Sequence, residues 1–127
     1  MSFLAGLSIF FPTVGCSKLE SSIAKKLSLP LTLAKINDHN TIIDIGNSYL
    51  DKNPDENNQE HLIDKLLVSS NGGLISKTTD SLTLENLILK KIETDFKNGE
   101  TIVINGWVLS KTEARQCALF SLTQAKN

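Results

Sequence analysis

Metal-binding and acid–base side chains are scarce in this chain. It has two histidines and two cysteines, too few for a zinc site of the usual four-ligand kind unless carboxylates or another chain complete it. His61 and Asp64 would share one edge of a helix and offer two ligands, but such pairs are commonly solvated surface residues. His39 stands far from both along the chain. We therefore expect no metal site.

Motifs for nucleophilic catalysis and phosphate binding are also missing from the sequence. There is no G-x-S-x-G elbow, no Walker loop and no G-x-G-x-x-G fingerprint. Cys117 is a candidate nucleophile, and a small enzyme that uses its thiolate is one hypothesis. The alternative is a buried, small apolar side chain on a helix, because no histidine or basic cluster in the local sequence would lower its pKa. We favour the alternative and expect neither catalytic residues nor a cofactor in this chain.

Three side chains in one short segment suggest a binding surface instead. Trp107 and Arg115 are the only tryptophan and the only arginine of the chain, and both residue types are enriched at interface hot spots. Arginine also presents a planar fork of donors that lysine cannot replace. We therefore predict that Trp107, Glu113 and Arg115 contact a protein partner. The alternative is structural, with Trp107 in the core and Arg115 paired internally, for example with a carboxylate of the third predicted helix.

The elements around this segment are predicted to be helices. Three stretches carry apolar residues at helical spacing between residues that start or stop helices. They run from Thr41 to about Lys52 before Pro54, from about 55–58 to 69, and from Ser81 or Thr83 to Lys97. The third has an apolar stripe at four-residue spacing, formed by Leu84, Ile88, Ile92 and Phe96.

A change of period then marks a β-hairpin. Residues 101–104 and 107–109 are β-type runs on either side of Asn105-Gly106, a pair typical of type I′ turns because both residues tolerate positive φ. Ser110 and Glu113 follow as a capping box that opens a fourth helix. The predicted fold is therefore mainly α: a small helical domain of about four short helices, with one β-hairpin before the last helix.

The first sixteen residues contain no charged side chain, and their apolar run is long enough for a signal-peptide core but too short to span a bilayer. Cys16, directly after a glycine, resembles the lipobox cysteine of bacterial lipoproteins, which is acylated after cleavage. We therefore predict an export-signal-like segment at 1–16 with Cys16 as a candidate lipidation site. The alternative is an apolar helix packed on the domain or on a partner. A linker or weak helix at 17–38 and the helical domain at 39–127 complete the predicted organisation.

Length and charge limit the function classes. The chain has 127 residues, which suits a single domain. Its net charge of -1 gives no positive field to attract phosphates, so we expect no nucleic-acid partner. No run of about 20 apolar residues is present, so we expect membrane contact only through the N-terminal segment or a lipid anchor. The expected location is the periplasm or the cell envelope.

The string DFKNGETIVINGWVLSKTEARQCALFSL, at Asp95–Leu122, resembles the C-terminal part of small exported bacterial proteins that carry twin-arginine signals. These proteins are accessory subunits of periplasmic flavin-dependent oxidoreductases, similar in role to the small subunit of gluconate or sorbitol dehydrogenases. The resemblance implies a non-catalytic small subunit or escort, with a larger subunit as its partner and the flavin in that partner. The alternative is a free-standing envelope lipoprotein, a binding domain without an enzyme partner.

Overall fold

The computed structural model describes residues 19–35 and 38–125. The segment at 1–16 and its candidate lipidation site Cys16 lie outside the described residues. Within them the chain is mainly helical, with one two-stranded antiparallel hairpin directly before the last helix. This confirms the predicted fold class.

Six helices and two strands make up the described part of the chain. The helices are α1 (19–27), α2 (Leu31–Ala34), α3 (His39–Lys52), α4 (Gln59–Leu66), α5 (Ser81–Lys97) and α6 (Lys111–Ala125), with a 3-10 turn at Pro54–Glu56. The strands are β1 (Thr101–Ile104) and β2 (Trp107–Ser110).

Helix α1 lies in the segment 17–38, for which we expect a linker or a weak helix. Ile23, Ala24 and Leu27 are spaced to share one helical face, and all three are buried in the core. Pro30, also buried, precedes α2. This part of the segment therefore contributes a helical face to the domain's core.

Aspartate and asparagine side chains start the next three helices. The Asp38 carboxylate accepts a hydrogen bond from the Thr41 backbone N–H at 2.9 Å, so α3 begins at His39 and the expected start at Thr41 is two residues late. The reason is that Asp38, with extended backbone geometry, is the N-cap residue. Asn58 and Asp80 cap α4 and α5 in the same way, close to the predicted starts.

Helix α5 buries most of its predicted apolar stripe. Leu84, Ile88 and Ile92 are buried, whereas Phe96 is 47% exposed. Phe96 lies in the last turn of the helix, before Gly99 with its φ of 71°. The buried part of the stripe therefore ends one turn earlier than the spacing predicts.

The hairpin has the predicted turn. Asn105 and Gly106 have φ values of 51° and 86°, as a type I′ turn requires. Ile104 and Leu109 are buried on the side of the helices. Val103 and Val108, directly opposite each other in the register, are exposed on the other side. The helices therefore cover one face of the hairpin.

Helices α3 and α6 approach each other most closely at Gly46. A Cβ atom at this position would lie 2.7 Å from the Cys117 carbonyl carbon and closer still to its oxygen. Only glycine leaves room for this approach. Ala114, Cys117, Ala118 and Leu119 of α6 have no exposed surface, so α6 forms the centre of the core.

Candidate functional site

Arg115 forms a buried ion pair within the chain. Its Nε donates to Glu56 Oε1 at 3.0 Å, and its Nη2 donates to Glu56 Oε2 at 3.4 Å. Tyr49 Oη donates to the same Oε1 at 2.9 Å. The arginine therefore uses its fork on an internal carboxylate, and that carboxylate belongs to the 3-10 turn rather than to the third predicted helix.

Tyr49, Glu56 and Arg115 form a hydrogen-bonded triad. Three elements position it. Tyr49 lies in the last turns of α3, Glu56 in the 3-10 turn, and Arg115 in the first turns of α6. Pro54 occupies the first position of the 3-10 turn, where its fixed φ is tolerated, so the chain reverses direction directly after α3. The turn places Glu56 in contact with the Tyr49 hydroxyl. Glu56 is only 6% exposed there.

The electrostatics of the triad favour an ionised Glu56. Burial acts to raise the pKa of Glu56, but hydrogen bonds from Arg115 and Tyr49 and the arginine charge outweigh burial and hold it below its usual value. The pKa of Arg115 is raised, because its bonds to Glu56 outweigh desolvation. Burial raises the pKa of Tyr49 to about 12. The triad thus contains a charged pair with a neutral phenol.

Glu113 completes the predicted capping box. Its Oε1 accepts from the Ser110 N–H at 3.0 Å, and Ser110 Oγ accepts from the Glu113 N–H at 3.0 Å. The other oxygen accepts from Thr32 Oγ1 at 2.7 Å. Glu113 is 6% exposed, so both oxygens serve contacts within the chain and tie α2 to the start of α6.

Trp107 is half-buried at the start of β2. It pairs with Ile104 across the hairpin and packs against the hydrophobic core. Of the three predicted interface residues, Trp107 and Arg115 retain partial exposure, whereas Glu113 is buried. The structure does not bring the three into one exposed patch, and their contact with a partner stays a prediction.

The other candidate residues, Cys117, His39 and His61, make contacts within the chain. Burial raises the pKa of the Cys117 thiol to about 12, which argues against its use as a nucleophile, since the thiolate is the reactive form. His39 packs edge-on against Phe120, with ring centroids 5.1 Å apart. The Nδ1 atom of His61 lies 3.3 Å from the backbone oxygen of Asp55. Among residues 19–35 and 38–125, no group of three or more metal-ligating side chains occurs.

An open cleft lies beside Arg115, bounded by α4, α5 and α6. Its volume is about 330 Å³. It is lined by the charged residues Lys65, Lys91, Asp95 and Arg115 and by the polar residues Ser69, Ser70, Thr94, Asn98 and Thr112, together with Val68. This cleft could not be predicted from the sequence, because its residues come from separate helices and a loop and form no local motif.

No protein-family model, no curated protein and no solved structure matches this chain. In the part of the chain that the structure describes, no helix is both long enough and apolar enough to cross a membrane. The candidate sites therefore rest on their own geometry.

Proposed function

We propose that this chain is a non-catalytic accessory subunit or escort protein of a larger exported redox enzyme, and that any flavin is held by that partner. The proposal rests on the outward face of the hairpin. Val103 is 60% exposed and Val108 is 62% exposed, and the two are direct neighbours across the strands. Adjacent exposed apolar side chains are more informative than scattered ones, because contiguous apolar surface marks interaction sites.

The hairpin also has free strand edges. It is a sheet of two strands in the order β1–β2, so each strand has one edge without a neighbour in the described residues. Unpaired edges offer backbone donors and acceptors to a strand of another protein. An apolar face beside an open edge suits a protein partner better than a small polar substrate.

The location of the hairpin supports the same proposal. Both strands and the buried part of α6 fall within Asp95–Leu122, the segment whose sequence resembles accessory subunits of periplasmic flavin-dependent oxidoreductases. Trp107, the only tryptophan of the chain, is half-buried and lies at the first position of β2. We infer that the outward face of the hairpin, with Val103 and Val108, forms the contact surface, and that Trp107 on the opposite face anchors the hairpin to the core.

A double substitution tests this surface. Val103→Thr with Val108→Thr keeps β-branched side chains of similar size, so the hairpin should persist, but it removes the apolar face. We expect a tagged chain expressed in its native host to co-purify with a large flavin-containing subunit in fixed stoichiometry. The double variant should lose most of that subunit. Mass spectrometry identifies the partner and flavin fluorescence reports the cofactor.

Leu82→Gln is the matched control. Leu82 is 67% exposed on α5, away from the hairpin strands in sequence, so this change should leave the complex intact. Equal loss in the control and the double variant would contradict the proposed surface. A chain that purifies as a monomer with acylated Cys16 would contradict the subunit role and support the alternative, a free-standing envelope lipoprotein.

A further inference from the structure

Cationic side chains from three different helices converge on the cleft beside α6. Lys65 of α4, Lys91 of α5 and Arg115 of α6 all line it. Asp95 is the only acidic residue among its lining residues. Because Glu56 balances Arg115, Lys65 and Lys91 face one acid, Asp95, and the cleft keeps a small excess of positive charge in a chain of net charge -1.

The Lys91 ammonium lines the cleft and has no carboxylate partner among the described residues. Its Nζ donates to the backbone oxygens of Lys65 at 2.9 Å and Leu66 at 3.1 Å, at the C-terminal end of α4. Among residues 19–35 and 38–125, no carboxylate forms a salt bridge with it. An ammonium has three N–H donors, so one donor is left after these two bonds.

Asp95, the acid in the cleft, does not form a salt bridge with Lys91. Asp95 Oδ2 accepts from the Thr112 N–H at 2.9 Å and from Thr112 Oγ1 at 2.7 Å, so this acid anchors the start of α6. Arg115 uses Nε and Nη2 on Glu56, which leaves further donors of its five. The charge of Arg115 is balanced by Glu56, but the cleft keeps unused donors on both Lys91 and Arg115.

Lys91 is half-buried, and this lowers the pKa of its amine. Desolvation lowers the pKa of Lys91 to about 8, the charge of Arg115 lowers it further, and the charge of Asp95 opposes both. A partly desolvated cation is stabilised when a counter-charge approaches. An anion in the cleft would therefore gain attraction from Lys91 that a fully hydrated surface lysine does not offer.

We propose that this cleft is a binding site for a small molecule with an oxyanion group, a phosphate or a carboxylate, which Lys91 and Arg115 bind while Lys65 contributes long-range attraction. Hydroxyl groups of Ser69, Ser70 and Thr94 line the same cleft and can donate to further oxygens. The volume of about 330 Å³ exceeds that of a single ion and lies at the lower end of small-molecule pockets. The cleft therefore has room for a small metabolite that carries the oxyanion group.

Titration calorimetry with inorganic phosphate and with succinate, each at constant ionic strength set with chloride, tests the site. We expect saturable binding of at least one of the two, and the tighter one identifies the preferred head group. Lys91→Met should weaken binding by about tenfold, as the loss of one charge-assisted hydrogen bond predicts. Lys90→Met is the matched control, because Lys90 is an exposed neighbour that pairs with Glu93, and it should bind normally.

A second measurement uses the unaltered chain. Saturating phosphate or succinate should raise the pKa of the Lys91 amine, followed by the NMR signal of its Nζ, because an anion favours the charged form. If Lys91→Met does not fold, Lys65→Met should still weaken binding by about threefold through lost attraction. No saturable binding at millimolar anion, equal affinity in the Lys91 and Lys90 variants, or an unchanged Lys91 pKa would overturn the proposal.

Discussion

Glu56 brings together two side chains that the chain uses only once. The only tyrosine, Tyr49, and the only arginine, Arg115, both donate to its carboxylate. A lysine in place of Arg115 would supply charge without the two-pronged geometry that reaches both carboxylate oxygens. This explains why the single arginine of a lysine-rich chain is found here.

The ion pair between Glu56 and Arg115 predicts the effect of a substitution at Glu56. Glu56→Gln keeps the size of the side chain but leaves Arg115 without its counter-charge, and we expect the free energy of unfolding to fall by about 2 kcal/mol. This is below the usual cost of breaking a buried pair, because the Arg115 side chain is 22% exposed. Urea denaturation at neutral pH measures the change.

The pH dependence of stability follows from the same group. The pKa of Glu56 is lower when folded than the ordinary glutamate value of 4.5. Its contribution is therefore complete above that value and is lost as the pH falls through the folded-state pKa. Wild type should lose stability on acidification more steeply than Glu56→Gln. Glu93→Gln, at an exposed side chain, is the control, and parallel acid profiles for all three proteins would refute the role of Glu56.

The close approach of α3 and α6 predicts that a side chain at Gly46 is destabilising. Gly46→Ala places a methyl group against the Cys117 backbone, and backbone cannot move aside as a flexible side chain can. We expect a loss of at least about 1–3 kcal/mol in unfolding free energy, as for overpacked cores. The comparison is Gly73→Ala, whose new methyl group would meet ordinary contacts at 3.4 Å. Equal stability of the two variants would show that the helices separate freely.

Elements whose signals are local were predictable from the sequence. The hairpin depends on two adjacent residues, Asn105 and Gly106, and the start of α6 on Ser110 and Glu113, which bond to each other as a capping box. In both cases the deciding residues are at most three positions apart along the chain. The sequence pattern therefore contains the whole cause of the structure.

Contacts between distant residues were not predictable in this way. Arg115 and Glu56 are separated by 59 positions, and nothing near Arg115 indicates which of the 14 acids it will meet. The same holds for the cleft around Lys91, whose lining depends on how three helices pack. The burial of helix α1 is also a contact between distant residues, because its three apolar residues are buried only once α6 packs beside them.

The hydrophobic core extends to helix α1, and a substitution there can test how much α1 contributes to stability. Leu27 has no exposed surface, and its backbone oxygen accepts a bond from Gln116 Nε2 of α6 at 2.8 Å. Leu27→Ala should therefore lower the free energy of unfolding by about 2–4 kcal/mol, as transfer and cavity costs add. Leu31→Ala is the control, since Leu31 is 40% exposed. A Leu27 variant as stable as the control would mean that α1 is dispensable to the core.

The central position of α6 has a consequence for biosynthesis. Every larger helix packs on α6 or on its neighbours, yet its fully buried residues begin only at Ala114. A ribosome-bound nascent chain that has released α1 to α5 therefore exposes their apolar faces with nothing to cover them. We therefore expect this domain to complete its folding only after α6 has been translated, and the unfinished chain to be accessible to chaperones until then.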